Sequence, residues 1–162
     1  MSDFNPRRLS LARMRRRLTT KALSERTGLA ADTISRLENG IHAPDDSTVG
    51  NLVKALGFPR EFFFDRDPED IDTGAISFRS FSKMSAKERD AALSAGCLGL
   101  QLSAWVEERF RLPKPDLIDL SYETDPQVAA SSLRQYWGLG ERPIGNLLAL
   151  LETRGVRVFF AL

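Results

Sequence analysis

A mainly α-helical fold is predicted for this 162-residue chain, with a five-helix head, a helical body containing one long helix, and a short C-terminal β-strand. Apolar residues recur at helical spacing in most segments. Residues typical of helix starts precede these segments, and glycines follow several of them. The stretch at residues 18–40, LTTKALSERTGLAADTISRLENG, is organised as two short helices joined by a tight turn.

The first helix is expected to begin at Pro6 and to run to about Arg17, because proline suits a first helical turn. Its inward face carries Leu9, Ala12 and Arg13. We expect its other arginines to lie largely outside: Arg7, Arg8, Arg15, Arg16 and Arg17. An arginine-rich helix face is either simply solvated or in contact with nucleic acid, and both interpretations stay open at this point.

The second and third helices form a closely connected pair. The second helix is expected to start after Thr19. Gly28 then allows the chain to reverse, because glycine adopts positive φ at lower energy than other residues do. The third helix buries Ile34 and Leu37 and ends at an Asn-Gly pair, residues 39–40. Two helices around a glycine turn, the second with a polar outer face, are typical of a helix-turn-helix, whose second helix fits the DNA major groove.

Two further helices complete a head over residues 1–66. Asp45 is among the N-cap candidates of a fourth helix that ends at Gly57, and a last short helix follows Pro59. This head holds 12 Lys/Arg against 8 Asp/Glu, whereas residues 67–162 hold 11 against 14. A basic head and an acidic remainder suit a DNA-contacting domain followed by a body with another role.

Residues 7–64 resemble the Cro/phage-repressor type of helix-turn-helix domain, the XRE family. The resemblance rests on LTTKALSERTGL, on TISRLENG and on VKALGFPREFF. It implies a structural ion pair between Arg13 and Glu38. It also implies base contacts at the start of the recognition helix, by Ala31, Asp32, Thr33, Ser35 and Arg36. The phosphate contacts that we expect are Thr20, Lys21, Asn39 and Arg16.

Side-chain chemistry ranks these residues. Arg36 is the strongest base reader, since its guanidinium can bond both O6 and N7 of guanine. Asp32 either accepts from cytosine N4 or caps the helix start. Many family members carry glutamine at the position of Thr20 and a basic residue at the position of Ile41. Both differences weaken the expected binding of phosphate. We therefore expect modest affinity from one head, and a dimer.

The body is expected to begin after a linker and extended segment at residues 67–84, and to occupy residues 85–162. A capping box at Ser85 and Glu88 starts one long helix, which Pro113 closes. Small residues spaced by three and four form a ridge on it, which another helix could approach closely. We expect this ridge to form the dimer surface, with a partner in the same chain or merely tolerated glycines as alternatives. Its residues are Ala92, Gly96, Gly99 and Ser103.

Two shorter helices are expected after the long one. Asp125 and Pro126 open the first, and Pro143 opens the second, which Gly155 ends. The apolar residues at 156–160, VRVFF, predict the short β-strand, whose edge would need a neighbour.

The segment ASSLRQYWGLGERPIGNLLALLETRGVRVF resembles the entry to the ImmA/IrrE-type metalloprotease domain. That family needs an HExxH helix, in which two histidines bind zinc and the glutamate acts as base. No histidine follows His42 in this chain, so we expect no enzyme activity, metal or cofactor. His42 itself is expected to be a loop or phosphate-side residue.

The preferred hypothesis is a sequence-specific DNA-binding transcriptional regulator, a repressor that acts as a homodimer on double-stranded DNA. The alternatives are the regulatory fragment of a zinc metallopeptidase and an antitoxin-like regulator, with a protein partner or a small effector left open. A single Cys97, no signal-peptide pattern and no sufficiently long apolar run indicate a soluble cytoplasmic protein that does not enter a membrane.

Overall fold

The computed structural model describes residues 3–71 and 84–159. Within these ranges the chain is helical, with no β-strand. The elements are α1 Pro6–Arg15, α2 Thr20–Thr27, α3 Ala31–Glu38, α4 Asp46–Leu56, a 3₁₀ helix Arg60–Phe64, α5 Ala86–Glu107, α6 Pro126–Tyr136 and α7 Leu147–Thr153. No helix in the described ranges is long and apolar enough to cross a bilayer.

The chain divides into two compact units, Met1–Leu102 and Ser103–Phe160, so the boundary falls within the residues of α5. The domain boundaries expected from the sequence, after residues 66 and 84, stay predictions. Most of the predicted extended segment, residues 72–83, lies outside the described residues.

The core of the first unit is formed where α1 to α4 and the 3₁₀ helix meet. Leu9 of α1, Leu23 of α2, Ile34 of α3 and Leu52 of α4 are completely buried, together with Phe63. α2, α3 and α4 each bury one apolar stripe and leave the opposite face largely to solvent, as amphipathic helices do. The core therefore fixes which face of each helix is outside.

Local signals at the helix ends confirm several predictions. The Thr19 hydroxyl accepts a hydrogen bond of 3.1 Å from the N–H of Ala22 at the start of α2. Gly28 ends α2 in the left-handed region, with φ of 73°. Asp45 caps α4 by accepting from the N–H of Thr48 at 2.7 Å. The ends of α2 and the start of α4 thus follow from capping residues that are close in sequence.

The expectation that Arg8 lies on the outer face of α1 is wrong, because this side chain is buried. Its Nε donates to the carbonyl of Arg66 at 2.8 Å, and its Nη2 lies 3.1 Å from a carboxylate oxygen of Asp65. The guanidinium also lies 4.9 Å from the ring centre of Phe62. The chain after the 3₁₀ helix returns along α1 and covers this face.

The second unit is held together around Asp116. Its carboxylate accepts from the Tyr136 hydroxyl at 2.8 Å and from Arg154 Nη1 at 2.7 Å, and its carbonyl accepts from Trp137 Nε1 at 2.9 Å. These bonds join the ends of α6 and α7 to the segment after α5. Gly155 is required here, since φ is 77° and a Cβ would lie 2.2 Å from the Lys114 carbonyl oxygen.

The predicted C-terminal β-strand is not formed by residues 156–159, its described part. A strand needs a neighbour to complete its backbone hydrogen bonds, and the described chain offers no other strand. Instead, the N–H of Val156 donates to the Leu151 carbonyl at 3.0 Å, which closes α7. Arg157 Nη2 then donates to the Pro113 carbonyl at 3.1 Å.

Candidate functional site

The outer face of α3 is set by what the inner face buries. Ile34 is fully buried and Leu37 nearly so, and both belong to the core of the first unit. The residues that the XRE resemblance assigns to base contacts are all exposed: Ala31, Asp32, Thr33, Ser35 and Arg36. The outer face of this eight-residue helix is therefore exposed and mostly polar.

The start of α3 has no side-chain cap. Its N-cap residue is Ala30, with φ of −64° and ψ of 145°, and no side chain accepts a hydrogen bond from the first turn there. The N–H groups of a first helical turn lack partners within the helix, and they carry the positive end of the helix dipole. An uncapped helix start can donate these groups to an anion such as a phosphate.

Arg36 has neighbours on two sides. Its Nε lies 2.8 Å from Oδ2 of Asp32, one turn earlier on the same helix. Its Nη1 lies 3.5 Å from Nε2 of His42, in the loop after α3. Since the N-cap residue is Ala30 and no side chain caps α3, Asp32 does not fill the capping role that was one of its two expected roles. The i,i+4 spacing of these two residues was a signal for this pair that sequence reasoning missed.

The start of α2 carries two of the expected phosphate contacts. Thr20 is half-buried in the first turn, whereas Lys21 is exposed. Thr19 satisfies the N–H of Ala22 with its hydroxyl. The exposed ammonium of Lys21 and the remaining first-turn N–H groups give this end of α2 a local positive potential.

The other two expected phosphate contacts are occupied by bonds within the domain. Arg16 Nε donates to the Leu56 carbonyl at 2.6 Å, and its Nη2 donates to the Gly57 carbonyl at 3.3 Å. Arg16 thus closes the end of α4. Asn39 Nδ2 donates to the Ser35 carbonyl at 2.8 Å and closes the end of α3. The structure therefore gives Arg16 and Asn39 structural bonds that compete with contact to DNA.

Arg13 and Glu38 are brought together between α1 and the end of α3. Arg13 Nε donates to one carboxylate oxygen of Glu38 at 2.6 Å, and Nη2 donates to the other at 2.9 Å. Arg13 Nη1 also donates to the Leu18 carbonyl at 2.9 Å. This bidentate pair ties the recognition helix to the first helix and fixes its orientation.

The small-residue ridge on α5 is half-buried along its whole length, at Ala92, Gly96, Gly99 and Ser103. A Cβ added at Gly96 would lie 2.8 Å from Cδ1 of Ile71, so part of the ridge is covered from within the chain. The Ser103 hydroxyl donates to Glu107 at 3.1 Å. Leu102 and Trp105 on the same helix are exposed.

Residues 7–62 match the family model of a helix-turn-helix domain. No curated protein and no solved structure matches the chain. The matched range contains α1 except Pro6, all of α2 to α4 and the start of the 3₁₀ helix, and hence every residue expected to contact DNA. The resemblances to the XRE family and to the ImmA/IrrE-type domain stay predictions.

Proposed function

We propose that the helix-turn-helix domain of residues 7–62 makes this protein a sequence-specific, DNA-binding transcriptional regulator. One observation carries the proposal: α3 is anchored by buried Ile34 and Leu37 and turns an exposed polar face outward. A helix presented in this way fits the major groove, where base edges offer a distinct pattern of donors and acceptors. The protein represses by occupying its site on double-stranded DNA.

Charge supports DNA as the partner of this domain. The head carries four more basic than acidic residues, whereas the rest of the chain is net acidic. Lys21 and the uncapped start of α3 are the strongest candidates for phosphate contacts. Because Arg16 and Asn39 already bond carbonyls, two of the four expected phosphate contacts have competing bonds. One domain therefore binds DNA weakly, and two are needed for useful affinity.

The proposed dimer places two recognition helices about 34 Å apart, one turn of B-DNA. α5 is the proposed dimerisation element. Its exposed Leu102 and Trp105 support this assignment, since large apolar side chains in water favour burial against a partner.

A second candidate function is a regulator whose body binds another protein, as in antitoxins. The observation that favours it is the exposure of large apolar side chains in the second unit, including Leu117, Tyr122, Tyr136 and Leu147. Both candidates are non-enzymatic and both keep the DNA-binding head. They differ in the body's partner, which is a second copy in the first case and another protein in the second.

The test starts with selection of preferred duplexes from a random pool, followed by titration of the selected and a scrambled duplex. Arg36→Ala is expected to cost about 1–3 kcal/mol on the selected duplex and much less on the scrambled one. Glu108→Ala is the control, since it removes an exposed carboxylate that pairs with Arg109 outside the head. Absence of binding to any duplex, or equal losses on both duplexes, contradicts the proposal.

A further inference from the structure

Arg36 is held by a charged neighbour on its own helix. The carboxylate of Asp32 lies 2.8 Å from Nε of Arg36, and the side chains are 73% and 51% exposed, respectively. Such an exposed i,i+4 pair adds little to stability. Its main effect is on geometry, because it restrains a long side chain that would otherwise sample many rotamers.

The carboxylate covers only one edge of the guanidinium. Asp32 lies at the Nε edge, and His42 Nε2 lies at the limit of hydrogen-bonding distance from Nη1. Among the described residues, no hydrogen bond or ion pair involves Nη2 of Arg36. The end of the guanidinium that carries Nη1 and Nη2 is therefore the end left for a ligand. Two parallel donors in one plane match O6 and N7 of guanine.

We propose that Asp32 is a positioning residue for Arg36 and not a base reader, so that this helix reads one guanine end-on through Nη1 and Nη2. This inference rests on the proposed DNA-binding function. The contact with Nε uses Oδ2 of Asp32 and holds the carboxylate at the side of the guanidinium, so its shortest contact is with Arg36. An unpaired carboxylate on this face would also repel the DNA phosphates, whereas the pair with Arg36 neutralises it. A restrained arginine also loses less conformational freedom on binding.

The test compares base preference, position by position, in duplexes selected by the full chain and by its variants. The wild type is expected to prefer guanine at one position of each half-site. Arg36→Ala is expected to lower this discrimination by about 5- to 150-fold. Asp32→Ala is expected to lower discrimination at the same position by a smaller factor, with no change at other positions. Asp32→Asn is expected to fall between Asp32→Ala and the wild type, since the amide oxygen can still contact Nε.

The double variant separates positioning from reading. If Asp32 acts through Arg36, Asp32→Ala changes no base preference in the Arg36→Ala background. Glu108→Ala serves as the matched control, because it also removes an exposed carboxylate beside an arginine. Its base preferences are expected to equal those of the wild type. Thermal unfolding of each variant checks that the head is folded.

Three results overturn the inference. A new loss of preference at a different base pair in Asp32→Ala, additive with Arg36→Ala, assigns Asp32 to base reading. An equal gain in affinity for all duplexes, with the guanine preference retained, assigns it to charge repulsion alone. Failure of the wild type to bind any duplex overturns the proposed DNA-binding function together with this inference. The first two results, in contrast, overturn only the role of Asp32.

Discussion

The ion pair between Arg13 and Glu38 is largely shielded from solvent, since the side chains are 13% and 12% exposed, respectively. Its two hydrogen bonds fix the end of α3 against α1, so the pair helps to hold α3 in one orientation relative to α1. Removing one member leaves the other as a desolvated charge, which costs far more than the intact pair contributes.

Arg13→Met is therefore expected to lower the free energy of unfolding by about 3–5 kcal/mol, and Glu38→Leu by a similar amount. The double variant Arg13→Met/Glu38→Leu is expected to lose much less than the sum, because no lone charge is left inside. Urea denaturation of the four proteins measures all three differences. Additive losses would contradict this account of the pair.

Asp67 is a residue whose protonation is coupled to folding. The side-chain amide of Asn5 donates to its carboxylate at 2.9 Å, and Arg7 donates at 3.1 Å. These two bonds, the first being the larger cause, lower the pKa of Asp67 below its ordinary value of 3.8. The folded state therefore binds this proton less readily than the unfolded state does.

The resulting stabilisation is present above pH 4 and is lost as the pH falls through the lowered pKa of Asp67. We expect the free energy of unfolding of the wild type to fall more steeply below pH 4 than that of Asp67→Asn. Urea denaturation at a series of pH values from 7 to 2.5 gives the two curves. Parallel curves for the two proteins would show that Asp67 does not account for the loss of stability below pH 4.

At the scale of single elements, α3 differs from α2 and α4 in having no side-chain cap at its start. Ala30 already has the extended backbone that an N-cap residue requires. Ala30→Ser is expected to raise the free energy of unfolding by about 1 kcal/mol. It is also expected to weaken DNA binding, because the serine hydroxyl would occupy a first-turn N–H that a phosphate can use.

Urea denaturation and duplex titration of Ala30→Ser give these two values. A conservative change at an exposed position of α2, Glu25→Gln, controls for a general effect on folding. Tighter DNA binding by the more stable Ala30→Ser protein would mean that the start of α3 makes no contact with phosphate.

At the scale of the whole molecule, the two units differ in how they bury apolar side chains. The first has a continuous core, whereas in the described part of the second only Trp137 is a buried large apolar residue.

For the proposed dimer, we expect a solution mass of twice 18.1 kDa. Leu102→Asp is expected to shift the protein toward the monomer, because it places a charge in the proposed interface. Sedimentation measures both. Tyr122→Ser, at an exposed residue away from α5, is expected to leave the dimer intact, and a monomeric wild type would contradict the proposal.

Sequence reasoning worked where structure depends on near neighbours. The cap at Thr19, the turn at Gly28 and the buried stripe of α3 each depend on residues within one or two helical turns. The same reasoning placed the candidate reader Arg36 on an exposed face. It did not connect Asp32 with Arg36, because it treated each side chain as a separate contact with DNA.

Reasoning from sequence failed where distant residues decide the outcome. Arg8 is covered by residues nearly sixty positions later in the chain, so no helical pattern could reveal its burial. The strand expected at residues 156–160 depended on a neighbour that local alternation does not supply. These errors concern coverage by other parts of the chain, whereas the helices themselves follow from local chemistry.

The burial of Arg8 also decides how far the head can be shortened. The family match ends at residue 62, yet Asp65 and the Arg66 carbonyl supply partners of the guanidinium, and Asp67 bonds the cap residue Asn5. A fragment trimmed to the matched range would lose these bonds and also Phe63, which is completely buried in the core. Such losses are large compared with the stability of a small domain. We therefore expect that a stably folded fragment of the head must include residues up to at least 67, because residues 65–67 bond to the start of α1.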